Sequence, residues 1–300
     1  MPKSKNVLFP AFAGAAVFAA SQAAACANYD AVVAAVQTDD APAAATLYRS
    51  IEVDAACDDA LRDWVGAYLA RDRFLHGLTK AGTETEKRAA FGEALRYETH
   101  WRSIAEIGRL DWQAGDYRNA AEQFQLAINE LAEGDPLHTA SEAEIREIYN
   151  LAVASLALSD QPVAAPATRS GTAGGVFQTK IRGFVVEEVP LPITFRFDSA
   201  EFDEKGRFYA QALADHLLQQ DPAQVTLTGH TDPLGEEDYN LELSEKRAAA
   251  VAVFLAESGF SGEVEVQGLG EQNLPDPPQG IAAGSEEHYR LARRVSLGQL

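Results

Sequence analysis

Three hundred residues suffice for about two domains. With 46% hydrophobic and 23% charged residues, the chain can bury a core and is not disordered by composition. A formal charge of −20 excludes nucleic acid as a favoured partner, because phosphate is repelled by such a surface.

The first 25 residues read as a signal peptide. Lys3 and Lys5 give a positive start. Residues 7–20 are uncharged and apolar but too short to span a bilayer, and Ala23-Ala24-Ala25 offers small residues for cleavage. No other run reaches transmembrane length, so the expectation is export to the periplasm with no transmembrane span. Two cysteines follow, Cys26 and Cys57. An oxidising compartment favours a disulfide between them. Lipidation of Cys26 as the first mature residue is the alternative, although the usual Leu three positions earlier is Ala23, and two free thiols are the third.

Residues 26–158 carry helical periodicity throughout, as in Ile104, Ile107 and Leu110 or Phe124, Ala127, Ile128 and Leu131. Residues 101–136 resemble a tetratricopeptide repeat. Gly108 stands at the small position of the first helix, Gly115-Asp116-Tyr117 makes the turn, and Ala120, Phe124 and Ala127 alternate small and large on the second. Pro136 closes the unit slightly late. One such unit cannot bury its own face, so neighbours are expected at 29–53, turning at Asp39-Asp40, and at 58–76 with 84–99. Ser141 and Glu144 form a capping box for a last helix reaching Leu158.

Residues 159–175 are rich in Pro, Ala and Gly and read as the linker between two domains, 26–158 and 176–300. Beyond it the pattern changes. Strands are expected at 184–189, 193–197, 224–228, 263–267 and 294–297, and helices at 204–219 and 244–258. Ser244 reads as the N-cap of the second helix, which places Arg247 in its first turn. The fold class is multi-domain: all-α helical hairpins, then an α/β sandwich of order β-α-β-α-β-β with helices on one face.

The chemistry concentrates in one stretch: Gly229-His230-Thr231-Asp232-Pro233-Leu234-Gly235, then Tyr239-Asn240, then Leu243-Ser244-Glu245-Lys246-Arg247-Ala248. An Asp in such a loop is by itself a turn former, and a lone helical Arg is by itself a solvated charge. Together, in this register, they resemble the OmpA-like peptidoglycan-binding domain over residues 193–297. The resemblance implies that Asp232 takes the ammonium and Arg247 the carboxylate of the diaminopimelate in the wall's stem peptide. Gly229, His230, Thr231, Gly235, Asn240, Leu243 and Ser244 would shape the pocket, with Ser244 adding helix N-terminal donors for the carboxylate. The family's usual Asn-Arg-Arg-Val appears here as Ala292-Arg293-Arg294-Val295, which puts the pocket rim in doubt and leaves Arg293 and Arg294 as supporting groups.

His230 beside Asp232 lacks a nearby nucleophile, and the six histidines show no ligand spacing, so no enzyme activity, metal or cofactor is expected. The helical repeats would scaffold an unknown envelope protein, and the whole would sit in the periplasm against the wall or outer membrane. The rival reading keeps the fold without wall binding, as a periplasmic protein–protein module. A second rival, an envelope enzyme, has no supporting constellation.

Overall fold

The computed structural model describes residues 26–134, 139–178, 180–181, 184–186, 188–196 and 198–298. The expected signal peptide, Pro136 and Phe197 lie outside them. The chain divides into two compact units. The first runs to Ile107, and the second holds Gly108–Gly134 and continues from Thr139.

In the first unit, helices α1 (Tyr29–Gln37), α2 (Ala41–Val53), α3 (Asp59–Thr79) and α4 (Glu84–Tyr97) follow one another through short turns. The sequence dictates the breaks. Asp39 adopts a left-handed φ of 57°, and Asp40 then accepts from Ala43 N–H as the N-cap of α2. Asp58 caps α3 in the same way, and Thr83 with Glu86 forms a full capping box at α4. Val32, Ile51, Leu61, Val65 and Leu69 form a buried cluster, and a disulfide joins Cys26 to Cys57 at its edge.

Helix α5 (Trp101–Gln113) runs across the border between the units. After it come α6 (Tyr117–Glu133) and α7 (Glu142–Leu158). Gly115 takes φ +76° in the turn, and Asp116 caps α6. A Cβ on Gly108 would lie 3.0 Å from the Phe124 ring, so the small residue lets α5 close on α6. Ala120, Phe124 and Ala127 are fully buried. Ser141 and Glu144 cap α7 reciprocally.

Residues 159–175 form no free linker. Gln125 and Asn129 of α6 donate to the carbonyls of Ala164 and Ala167 at 3.4 and 3.3 Å, and Gly175 N–H donates to Asn129 at 2.7 Å. Val163 is buried, with its N–H on the Tyr209 hydroxyl. The division between the two compact units falls at 107/108, inside α5, and residues 159–175 belong to the second unit. The polar amides of α6 satisfy the segment's backbone groups, so its Pro/Gly content marks an irregular path and not mobility.

The segment continues through a 3₁₀ turn (Gly175–Phe177) and a two-residue ladder, β1 (Lys180–Ile181) with β2 (Phe184–Val185). Then come β3 (Glu188–Leu191), α8 (Glu204–Gln220), β4 (Gln224–Gly229), α9 (Glu237–Glu257), β5 (Glu263–Gly268), α10 (Glu286–Ala292) and β6 (Val295–Gly298). The four-stranded sheet runs β3-β6-β4-β5, with β4 and β5 parallel and the other neighbours antiparallel. Val189, Leu191, Val225, Leu227, Val295 and Leu297 are buried in it, as are Leu213 and Leu217 of α8 and Val251 and Leu255 of α9. Truncating one such Leu to Ala costs about 2–5 kcal/mol.

Several expected elements differ. The strand expected at 184–189 is split between β2 and β3, and residues 193–196 of the next expected strand instead form a tight loop. Phe195 bridges Phe202, Arg196 N–H donates to Glu201 O at 2.8 Å, and the Thr194 hydroxyl donates to Asp203, the N-cap of α8. Gly206 packs so close that a Cβ would fall 1.8 Å from Thr194 O. Capping α8 takes these backbone groups, and the edge strand is made upstream by β3. Helix α10 also stands between β5 and β6, where only a loop was expected.

Candidate functional site

The motif loop leaves β4 at Gly229 and enters α9 at Glu237. Ser244 is therefore not an N-cap. Helix α9 begins two turns earlier, after Glu236, and Glu237 and Asp238 occupy its positive end, where acidic side chains are favoured. Arg247 consequently lies in the third turn, away from the N-terminus of its own helix. Ser244 has another task. Its hydroxyl donates to Leu241 O at 2.7 Å and accepts Gly270 N–H at 2.9 Å, which ties α9 to the loop after β5.

Glycines set the depth of the helix. A Cβ on Gly229 would lie 1.9 Å from Ser244 O, and one on Gly268 would lie 2.6 Å from Ser244 Oγ. Only glycine allows α9 to lie this close on β4 and β5. That approach lowers Arg247 to the sheet end, beside the loop that carries Asp232.

The loop is fastened at several points. His230 N–H donates to Arg294 O, and Thr231 N–H donates to Gly270 O. Leu234 N–H donates to Asp232 Oδ1 at 3.0 Å, an Asx turn, and Gly235 takes φ +114°. Asn240 donates to the carbonyls of Asp232 and Leu234 and to Glu271 Oε2, the last at 2.7 Å. It ties the loop to α9 and to the segment after β5.

A cleft of about 510 Å³ opens between loop and helix, with Asp232, Leu243 and Arg247 in its wall together with Phe195, Tyr239 and Arg293. Arg247 is 6% exposed, and its Nε donates to Ser199 O at 3.1 Å. Its guanidinium carbon sits 5.2 Å from the Phe195 ring centre, within cation–π range. Burial and then the neighbouring Arg293 push the Arg247 pKa down, while Asp232 pulls it up. Among the described residues no carboxylate lies within 4 Å of Arg247 in an ion pair.

Asp232 is 8% exposed and is already paired: its Oδ2 lies 2.6 Å from Arg293 Nη1. Arg293 Nη2 reaches Glu286 Oε1 at 2.5 Å. Burial opposes the Arg293 charge, but the bonds to Asp232 and Glu286 outweigh it and raise its pKa. Arg294 turns elsewhere, donating to the carbonyls of Ala292 and Asn273. His230 is buried outside the cleft wall, with Nε2 3.5 Å from Glu188 Oε1. Thr231 lines the cleft, and Ala292 is fully buried and brings no polar group to it.

The structure thus brings Asp232, Arg247 and Arg293 together and leaves Arg294 and His230 outside. Sequence reasoning missed Phe195, Glu286 and Tyr239, whose hydroxyl donates to Asp198. Only Tyr239 carried a signal, as part of the quoted motif.

Residues 194–286 match the OmpA family. Over 81 residues the chain is 42% identical to the outer-membrane lipoprotein YfiB of Pseudomonas aeruginosa, covering 27% of this chain and 48% of that protein. Over 112 residues it is 39% identical to outer membrane porin F of the same organism, covering 37% of this chain and 32% of that one. The crystal structure of the peptidoglycan-associated lipoprotein from Burkholderia pseudomallei aligns at 26% identity over 37% of this chain and 86% of that chain, with a TM-score of 0.30. The chain spans less than half the length of these two curated relatives. No described helix is long and apolar enough to cross a membrane. Helices fill the N-terminal part, and residues 194–286, which carry the described wall of the charged cleft except Arg293, form an OmpA family domain.

Proposed function

We propose that this protein binds peptidoglycan non-covalently, gripping the zwitterionic end of diaminopimelate in the cleft between the motif loop and α9. The ammonium pairs with Asp232, and the carboxylate pairs with Arg247. The observation that carries this reading is Arg247: a buried guanidinium with no carboxylate partner among the described residues, facing the same cleft as Asp232. A buried cation without a counter-ion is costly, and an incoming carboxylate removes that cost. Attraction over long range does not drive this binding, because wall and protein are both anionic. The grip is local.

The protein acts as an exported, non-enzymatic tether of the cell envelope, held at the wall by its C-terminal part. Its helices dock an envelope protein. Co-sedimentation of the full chain with purified sacculi tests the reading. Charge-assisted contacts contribute about 1.5–3 kcal/mol each, so Arg247→Ala weakens sedimentation about tenfold to a hundredfold. Binding unchanged in a folded Arg247→Ala protein defeats the assignment.

One observation favours the rival, a module that has lost wall binding. Asp232 already holds Arg293 and the Leu234 N–H, so the ligand's ammonium must share or displace them. Absence of wild-type sedimentation would select it.

A further inference from the structure

The cleft does not end at Arg247. Phe195, Arg247, Glu286 and Arg293 also form a wall of a second chamber of about 510 Å³, which extends to Lys205, Arg290 and the end of α7 at residues 157–160. Part of this chamber lies outside residues 194–286, at residues 157–160 and at Arg290 and Arg293.

Lys205 Nζ donates to Ala157 O at 2.8 Å and to Ser159 O at 2.7 Å. Arg290 Nη2 donates to Ala157 O and Leu158 O at 3.3 and 3.1 Å. Two cations therefore crowd one helix C-terminus, whose dipole offers only about half a negative charge. Two of the three ammonium hydrogens are taken by carbonyls, and among the described residues no carboxylate forms an ion pair with Lys205. The acids in the chamber are engaged or exposed. Asp203 accepts from Gly206 N–H and the Thr194 hydroxyl, and Glu286 holds Arg293. Asp160 lies 3.6 Å from Arg290 with its side chain 91% exposed, and Glu204 is exposed. Burial, then Arg290, pushes the Lys205 pKa down to about 8, against the pull of Asp203 and Asp160.

We propose that Lys205 seats a second carboxylate of the same wall peptide whose diaminopimelate is held by Asp232 and Arg247. The inference rests on the proposed wall binding and makes the site a two-anion groove. Such a groove recognises a peptide bearing carboxylates at two places along its chain and not a single zwitterionic end.

Calorimetry on the full chain tests it with three probes: meso-diaminopimelate amidated at one of its two carboxylates, a synthetic stem tripeptide containing diaminopimelate with free carboxylates, and that tripeptide with every carboxylate remote from the zwitterion amidated. The wild type is expected to bind the free tripeptide about tenfold more tightly than the other two, the effect of one charge-assisted contact. Lys205→Met is expected to level the three affinities, and Lys205→Arg to keep the preference. If Lys205→Met fails to fold, the wild-type preference is followed against pH. It should fade above about pH 8 while that of Lys205→Arg persists. Equal wild-type affinities for the free and amidated tripeptides overturn the second seat while leaving the first intact. So does a preference that survives in Lys205→Met, or one that stays flat across pH 8. A wild type that binds none of the probes overturns the wall-binding reading and this one with it.

Discussion

Arg293 Nη1 lies 2.6 Å from Asp232 Oδ2, so the acid expected to receive a ligand's ammonium holds a guanidinium before any ligand arrives. Asp232 is 12% exposed in its side chain and Arg293 32%, so the pair is screened only in part. Removing one member leaves the other charge half-buried and unmatched. Arg293→Ala is expected to lower unfolding stability by about 1–3 kcal/mol. Asp232→Asn should do likewise, and the double variant should cost clearly less than the sum. Urea unfolding of the four proteins measures the coupling. Strict additivity would mean that the pair contributes nothing beyond its separate contacts.

The same pair changes what a binding assay should show. Both Asp232 and Arg247 are buried, so alanine at either also disturbs packing. Asp232→Asn keeps the Oδ1 acceptor for the Leu234 N–H but replaces Oδ2 by an amide nitrogen, removing the charge and the acceptor for Arg293, and Arg247→Lys keeps charge but loses the planar fork. Sacculus binding should fall about tenfold or more for each, a loss of one charge-assisted contact. Circular dichroism should leave both folded. If Arg247→Lys binds as the wild type does, bidentate recognition is wrong.

Residues 159–175 make a third test. Their backbone is tied to Gln125, Asn129, Glu133 and Tyr209. Limited proteolysis of the native chain should therefore spare them, because cleavage needs locally unfolded backbone. Asn129→Ala removes two of these bonds and should open the segment to early cutting, as read by mass spectrometry of the first fragments. Early cutting at 159–175 in the wild type would restore the linker reading.

That segment also marks the limit of what the sequence disclosed. Periodicity placed the helices well, because helical stripes and caps such as Asp40, Thr83 and Ser141 are local signals. The motif likewise placed Asp232 and Arg247 at one cleft. The start of α9 was misread because Ser244 looks like a cap, whereas its hydroxyl satisfies Leu241 O and Gly270 N–H, a partner 26 residues away. Residues 159–175 looked free because Pro, Ala and Gly carry no periodicity, while what fixes them are amide side chains of a helix more than thirty residues upstream. Arg293 was a candidate, but its choice of Asp232 over solvent depends on α10, an element the sequence reading did not contain. Long-range pairings of this kind leave no local pattern.

The disulfide gives a fourth expectation. Cys26 and Cys57 close a loop with a sequence separation of 31. Chain entropy assigns such a loop about 3–4 kcal/mol. Reduction should lower the melting temperature of the helical unit before Ile107 and leave the unit carrying the cleft nearly unchanged. Intact mass of the native protein before and after alkylation decides the cysteine state, and a diacylglycerol increment on Cys26 would replace the disulfide with a lipid anchor.

The pH dependence of stability follows from three buried or half-buried groups. Lys205 falls from 10.5 to about 8, chiefly through burial. Between those values the unfolded chain holds a proton that the folded chain has released, so this group makes stability rise with pH across that window. On the acid side, the His230 ring, 3.5 Å away, leads in pulling Glu188 from 4.5 down to about 2, against burial. That contribution is complete above 4.5 and is lost as pH falls toward about 2. Burial lowers the His230 pKa below 6.5, with Glu188 opposing, so the unfolded chain takes up the proton first and stability also declines as pH drops below 6.5. The two acid effects share a sign. Melting temperature should therefore fall steadily from pH 6.5 to pH 3 and rise from pH 8 to pH 10 relative to Lys205→Met, which lacks the titrating group. Glu188→Gln should flatten the limb below pH 4.5 and leave the alkaline limb as in the wild type. An acid limb unchanged in Glu188→Gln would mean that other carboxylates govern it.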